Sequence, residues 1–157
     1  MTTYDEILDL ALISIEDYHL NSLSKESPEK FKTVLQGFLI RGLPSFDNCI
    51  KDLSDRDDDN ATFNFILNDM EKSILADYTV LSWLDKEIND TRQITAMLQN
   101  KQEAHRYSEA NLLNSKRERR IQIAEDVAQK KTRYGLDNTP WKDWADGKYS
   151  LWFWTRW

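Results

Sequence analysis

The sequence is short of several residue types, and each shortage argues against a class of protein. Its 157 residues include four glycines and three prolines, which is typical of helical proteins and argues against a turn-rich β fold. The one cysteine, Cys49, cannot form a disulfide within the chain and fits a reducing compartment. No apolar run reaches the roughly 18 residues of a membrane-spanning helix, and the acidic, amphipathic N-terminus differs from a signal peptide. We expect a domain with a real core and no membrane partner.

Residues that carry catalysis or bind metals are also scarce. His19 and His105 are the only histidines, and neither has partners at a metal-binding spacing. The sequence has no GxGxxG, P-loop, GxSxG or HExxH motif. The aspartates at 57–59 lack the glycine turn and trailing glutamate of an EF-hand. We therefore expect a protein that is not an enzyme and needs no cofactor or metal, with a nucleophilic Cys49 as the alternative.

The strongest pattern lies at Phe63–Ile88. Its first residues nearly alternate in polarity, as in a half-buried strand. Asn68 then has the position of a helix N-cap, and Glu71 completes the spacing of a capping box. The apolar residues that follow at spacings of three and four share one helical face: Met70, Ile74, Tyr78, Leu81, Leu84 and Ile88. Further apolar residues widen this face, which predicts a central helix over about 69–99, covered on more than one side.

Two further helices are predicted near the N-terminus. Thr3 and Glu6 form a capping box that opens the first helix, whose apolar stripe continues to residue 18 or 19. Residues 21–27 are predicted as a loop. Ser27 then caps a second helix with Pro28 at its first position, where a missing N–H does no harm.

The segment after the second helix is more ambiguous. This helix is expected to end at Gly42 and Pro44. Residues 46–53 fit either a short strand or a helical turn, whereas the run DRDDDNA at 55–61 predicts an exposed loop. If both flanks of that loop are strands, 46–53 pairs with 62–67 in a hairpin.

A last amphipathic helix is predicted over roughly Glu103–Tyr134, with Gly135 as its left-handed terminator. Arg117 falls on its apolar stripe and interrupts it. Together these patterns predict a mainly α fold: a four-to-five-helix bundle in a domain of residues 1–135, with a short β-hairpin within about 46–67 if both of its flanks are strands. The residues expected on the inner side of the last helix are Tyr107, Ala110, Leu113, Ile121, Ala124 and Ala128.

Charge is unevenly placed in this acidic chain, whose formal net charge of −6 argues against a general nucleic-acid binder. Residues 45–60 hold six acids and two bases, whereas 101–134 hold nine bases and five acids. The basic cluster fits a solvated helix face balanced by Glu118, Glu125 and Asp126. Alternatively, it contacts DNA phosphates or an acidic neighbour, such as another copy of the chain. The residues concerned are Lys116, Arg117, Arg119, Arg120, Lys130, Lys131 and Arg133.

The composition changes after Gly135. Residues 136–157 contain five of the six tryptophans and end in a β-like segment that is apolar on both faces. Large aromatic side chains bury roughly 150–250 Å² each and are enriched in binding hot spots, and a soluble chain rarely exposes so large a patch. This C-terminal extension either folds back on its own helices or docks into a partner, for example by adding a strand to a sheet edge. The residues expected to dock are Trp141, Trp144, Tyr149, Trp152, Phe153, Trp154 and Trp157.

Four packing motifs occur between Leu43 and Tyr134. They are LPSF-x2-C-x3-L at 43–53, F-x-F-x-L-x3-E at 63–71, ILADYTVLSWLDKEI at 74–88 and YSEANLL at 107–113. Over these roughly 90 residues the chain resembles the head-to-tail connector, or neck adaptor, proteins of tailed bacteriophages.

The resemblance implies a small helical bundle with a β-hairpin or loop on one side. It further implies a ring, usually a dodecamer, that lies beneath the portal in the neck of the virion and passes DNA through its lumen. In that family a C-terminal extension docks between portal subunits, and residues 136–157 are similar to it in placement and character. Tail proteins or neighbouring subunits would face the acidic loop. The alternative is a helical nucleic-acid-associated or regulatory interaction protein that uses the basic face 116–133.

Overall fold

The computed structural model describes residues 1–15, 18–97 and 103–141. Within them the chain is mainly helical, which confirms the predicted helical bundle with a short hairpin. A short 3-10 helix, Leu43–Ser45, follows the third α-helix. The α-helices are α1 (Tyr4–Leu12), α2 (Tyr18–Glu26), α3 (Pro28–Gly42), α4 (Asp69–Met97) and α5 (Glu103–Asp137).

Three two-residue strands form a small antiparallel sheet. Strand β3 (Thr62–Phe63) lies in the centre, between β1 (Thr2–Thr3) and β2 (Arg56–Asp57). Phe63 is opposite Thr2 on one side and opposite Arg56 on the other. The hairpin therefore exists, but the predicted pairing of 46–53 with 62–67 is wrong, because β2 supplies the partner strand.

Residues 46–53 lie against α5 instead of forming a strand. Phe46 is buried, and its ring meets that of Tyr134 edge-on with centroids 5.1 Å apart. The Asn48 side-chain amide donates to the Lys131 carbonyl at 3.2 Å. A Cβ at Gly135 would lie 3.2 Å from that amide nitrogen, so glycine lets the segment approach the helix closely. α5 continues through Gly135 to Asp137, and the prediction of Gly135 as terminator is wrong.

The N-terminal region also differs from the prediction. The first helix ends at Leu12 rather than at residue 18 or 19, and helix α2 occupies most of the predicted loop 21–27. Ile15 and Leu20 are both buried in the core, and α2 packs on α3. Local helix propensity is a weak signal that packing overrides, so a Ser-rich segment becomes helical here.

Helix α4 is the centre of the bundle, as predicted. Helices α1, α3 and α5 all pack on it, and its start is the predicted capping box of Asn68 and Glu71. A Cβ at Gly42 would lie 3.1 Å from the backbone of Tyr78, so this glycine allows α3 to cross α4 closely. The buried α4 side chains include Ile74, Leu75, Ala76, Val80, Trp83 and Leu84.

Helix α5 turns a different face inward from the one predicted. Val127 and Tyr134 are buried and Ile123 packs on the core, whereas Ile121 is 56% exposed. Ala110, Arg117 and Ala128 are exposed as well, and Tyr107 lies outside the residues whose side chains are described. The true inner stripe follows the three-and-four spacing through residues 116, 120, 123, 127, 130 and 134. Four of these six positions carry basic or phenolic side chains, so apolar periodicity alone pointed to the wrong face.

Candidate functional site

A buried polar cluster lies where the first turn of α4 meets the last turns of α5. At its centre is Glu71, which is 2% exposed. The Asn68 N–H donates to Glu71 Oε2 at 2.8 Å, and the Glu71 N–H donates to Asn68 Oδ1 at 2.8 Å. This reciprocal pair satisfies two N–H groups at the start of α4 that have no partner within the helix.

Two longer-range contacts connect Glu71 to the rest of the fold. The Tyr134 hydroxyl donates to Glu71 Oε1 at 2.8 Å and accepts the Ile50 N–H at 3.2 Å. The Lys51 ammonium donates to Glu71 Oε2 at 2.7 Å. Burial by itself raises the pKa of Glu71, but the hydrogen bonds from Lys51, Asn68 and Tyr134 outweigh it and leave the pKa lowered. The cluster thus joins α4, α5 and the 46–53 segment through one ionised carboxylate.

Cys49 lies beside this cluster, with its sulfur 3.9 Å from the Tyr134 hydroxyl. Burial is the main cause that raises the pKa of the Cys49 thiol, which is the reverse of what a nucleophilic cysteine needs. Within the described residues, no group of three or more His, Cys, Asp or Glu side chains is placed to hold a metal ion. The side chains of His19 and His105 lie outside that description.

Most residues of the predicted basic face are engaged within the chain. The ion pairs are Lys116 with Glu87 (2.8 Å), Arg120 with Asp85, Lys130 with Asp77, and Lys131 with Asp47. The Asp85 carboxylate hydrogen-bonds Arg120 and raises the pKa of its guanidinium, and the Lys131 hydrogen bond lowers the pKa of Asp47. Three of these four acids belong to α4, so the basic residues hold α4 and α5 together. A DNA phosphate would have to compete with these carboxylates for the same cations.

The remaining basic residues are more exposed. Arg119 donates to the Ser14 carbonyl and thereby ties α5 to the end of α1. Arg117 is exposed. Arg133 is 75% exposed at its side chain, and its Nε lies 3.8 Å from the Asp137 carboxylate, one turn further along the helix.

The acidic run at 55–61 is organised by its own hydrogen bonds. The Asp57 carboxylate accepts hydrogen bonds from the N–H groups of Asp59 and Asn60 and from the Asn60 side chain. The bond from the Asn60 side chain is the main cause of the lowered pKa of Asp57. Asp58 accepts from the buried Tyr4 hydroxyl at 2.6 Å, the main cause of its lowered pKa. Asp55 and residues 58–60 are exposed, as predicted for this stretch, whereas Arg56 and Asp57 are half-buried and form strand β2 instead of loop. Asp58 ties this run to Tyr4, the first residue of α1.

Trp141 belongs to the predicted docking set and is the last residue that the structure describes. It is 57% exposed, and its indole N–H donates to the Leu136 carbonyl at 3.0 Å. Its backbone N–H donates to the Thr139 carbonyl at 2.8 Å. The other predicted docking residues lie outside the described residues: Trp144, Tyr149, Trp152, Phe153, Trp154 and Trp157.

A groove of about 540 Å³ lies between α4, α5 and the end of α1. Its apolar side chains are Met70, Val80 and Ile123. Its polar rim carries two acids, two bases, an amide and a hydroxyl: Asp77, Asp126, Lys130, Arg133, Gln129 and Ser14. We call this the α4–α5 groove.

Sequence patterns did not reveal the polar cluster or the groove. The Asn68–Glu71 spacing identified the capping box, but nothing local indicated that Glu71 is buried or that Tyr134 reaches it across 63 positions. The groove depends on which face α5 turns to α4, and that face was predicted incorrectly.

Among the described residues, no helix has the length and apolar character needed to cross a lipid bilayer. Comparison with known protein families, with curated proteins and with solved structures gives no match for this chain.

Proposed function

We propose that this chain is a structural virion protein, a head-to-tail adaptor that forms a ring, joins the portal to the tail and docks through its aromatic C-terminal extension. The proposal includes portal and tail proteins as partners, a dodecameric ring in the neck of the virion, and DNA passing through its lumen. It carries no catalytic step and no cofactor.

One observation carries the proposal. The aromatic extension begins at the end of α5, and the buried Tyr134–Glu71 hydrogen bond holds this end of the helix against the start of α4. A rigid base fixes where the extension leaves the bundle, and pre-organisation of this kind lowers the entropic cost of docking. Its first tryptophan, Trp141, is more than half exposed.

The resemblance to neck adaptors supports the same proposal. Its implied architecture, a small helical bundle with a hairpin on one side, agrees with the fold of the described residues. The intramolecular ion pairs of Lys116, Arg120, Lys130 and Lys131 favour this structural interpretation over a DNA-binding basic face.

The experiment that tests the proposal replaces three tail tryptophans in the full chain, Trp152, Trp154 and Trp157, each by Ser. We expect binding to purified portal rings, measured by mass photometry, to fall at least tenfold while helical circular dichroism stays unchanged. The matched control replaces Ile13 and Ile66, exposed by 81% and 70%, by Ser and should bind normally. Unchanged portal binding by the tail variant, or no binding by the wild-type chain, would overturn the proposal. DNA affinity that falls steeply with salt would favour the nucleic-acid alternative.

A further inference from the structure

The α4–α5 groove has the chemistry that a tryptophan side chain needs. Met70 and Ile123, both partly exposed, supply apolar contact, and the buried Val80 also lines the groove. An indole ring gains most of its binding energy from such contact. The indole N–H is a donor only, and Asp126 offers a carboxylate acceptor at the rim. Arg133, also at the rim and 75% exposed, can stack on an aromatic face.

Part of the same chain is suited to fill the groove. Residues 142–157 include four tryptophans, and so many large aromatic side chains are rarely left in water on a dissolved protein. The last nine residues of this segment, 149–157, hold three of these tryptophans and one charged side chain, Arg156, which can pair with the Asp126 carboxylate at the groove rim.

The distances allow the segment to reach the groove of its own chain. Arg133 lines one end of the groove, and α5 ends four residues later at Asp137. From Ile123 to Arg133 the groove follows about 15 Å of helix, at 1.5 Å per residue. The 16 residues after Trp141 can span up to about 50 Å when extended. Attachment to the same chain also gives the segment a high effective concentration, which favours its own groove over that of a second copy.

We propose that, in the unassembled chain, the α4–α5 groove binds the aromatic segment Tyr149–Trp157 of the same molecule. The bound segment shields its tryptophans from water and from self-association until a docking partner competes for it. The groove is thus an internal docking site, and the inference holds whatever partner the extension finally meets.

Cysteine pairs in the full chain test this contact. In a Cys49→Ser background, Gln129→Cys at the groove rim is combined with Ser150→Cys in the segment. The matched control combines Ser150→Cys with Lys30→Cys, because Lys30 is exposed on α3, which does not line the groove. After mild oxidation at low micromolar protein, we expect the 129–150 disulfide to form at least tenfold faster than the 30–150 disulfide, at monomer mass.

Equal rates for the two pairs, or products that join two chains, would overturn the inference. All substituted positions in the bundle except Cys49 are exposed, and circular dichroism of the reduced variants verifies that both are folded. The measurement requires neither portal nor ring. Its failure would overturn the self-contact alone, whereas the adaptor proposal stands or falls by portal binding.

Discussion

The sharpest prediction concerns Tyr134→Phe, which removes one oxygen atom from the buried polar cluster. Tyr134 and Glu71 are each 2% exposed, and the Tyr134 hydroxyl donates to the carboxylate at 2.8 Å. The phenylalanine ring preserves the edge-on contact with Phe46. The substitution therefore keeps the packing and removes the two hydrogen bonds of the hydroxyl, the one donated to Glu71 and the one accepted from the Ile50 N–H.

The expected loss of stability in Tyr134→Phe follows from the charge and burial of the acceptor, Glu71. A hydrogen bond to a charged group contributes about 1.5–3 kcal/mol, and removing one partner leaves the other desolvated. Glu71 keeps its bonds from Lys51 and Asn68, so we expect a loss near the middle of this range, about 2 kcal/mol. For a chain of this size that corresponds to a decrease in Tm of roughly 4–8 °C.

Urea unfolding followed by far-ultraviolet circular dichroism measures this loss, with an unchanged m-value as the sign that compactness is preserved. The control is Tyr78→Phe, because the half-buried Tyr78 hydroxyl makes no hydrogen bond among the described residues. The control should lose less than about 0.5 kcal/mol. Equal losses in the two variants would refute the argument that the hydrogen bonds of the Tyr134 hydroxyl to Glu71 and Ile50 stabilise the junction of α4, α5 and the 46–53 segment.

Four further predictions concern the backbone and the pH dependence of stability. Ala61 has a φ of 52°, a left-handed conformation that costs an L-residue about 1–2 kcal/mol. After the entropy cost of glycine, Ala61→Gly should raise the free energy of unfolding by up to about 1 kcal/mol, which is measured as a higher urea midpoint. Gly37 lies within α3 with open space where a Cβ would be added, so Gly37→Ala should stabilise the fold by about 0.5–1 kcal/mol. Gly42→Ala should destabilise it because of the 3.1 Å approach to Tyr78; stabilisation by both substitutions in urea titrations would contradict the close crossing of α3 and α4. The lowered pKa of Glu71 means that its contribution is complete above the unfolded pKa near 4.5 and is lost as the pH falls through the lower folded pKa. The free energy of unfolding should therefore fall more steeply below about pH 4.5 in the wild type than in Glu71→Gln, and parallel pH profiles would show that the carboxylate is not preferentially stabilised in the fold.

Features that depend on neighbours in sequence were predictable. The capping box at Asn68 and Glu71 and the start of α3 at Pro28 follow from residues within one helical turn of each other. The central position of α4 was also predictable, because its apolar side chains cover more than one face and need cover on several sides. These patterns were sufficient for the fold class.

Features that depend on distant partners were not predictable. Strand β1 pairs with β3 across some sixty positions, and two-residue strands leave almost no periodicity in the sequence. Helix α2 forms in a segment of weak helix propensity because it packs on α3. The hairpin uses Arg56–Asp57, within the acidic run, since the preceding segment is held on α5 by Phe46 and Asn48.

Helix α5 shows most clearly the difference between features set by neighbours in sequence and features set by distant partners. The amino-acid sequence by itself determined that a long amphipathic helix follows α4 and that an aromatic segment follows the helix. Only the tertiary structure decided which face turns inward, because Lys116, Arg120 and Lys130 meet carboxylates on α4. Long basic side chains can lie at an interface when their charges are paired. The spacing of apolar residues does not identify such positions. That choice of face also placed Ile123 and Arg133 at the α4–α5 groove and brought Tyr134 to Glu71.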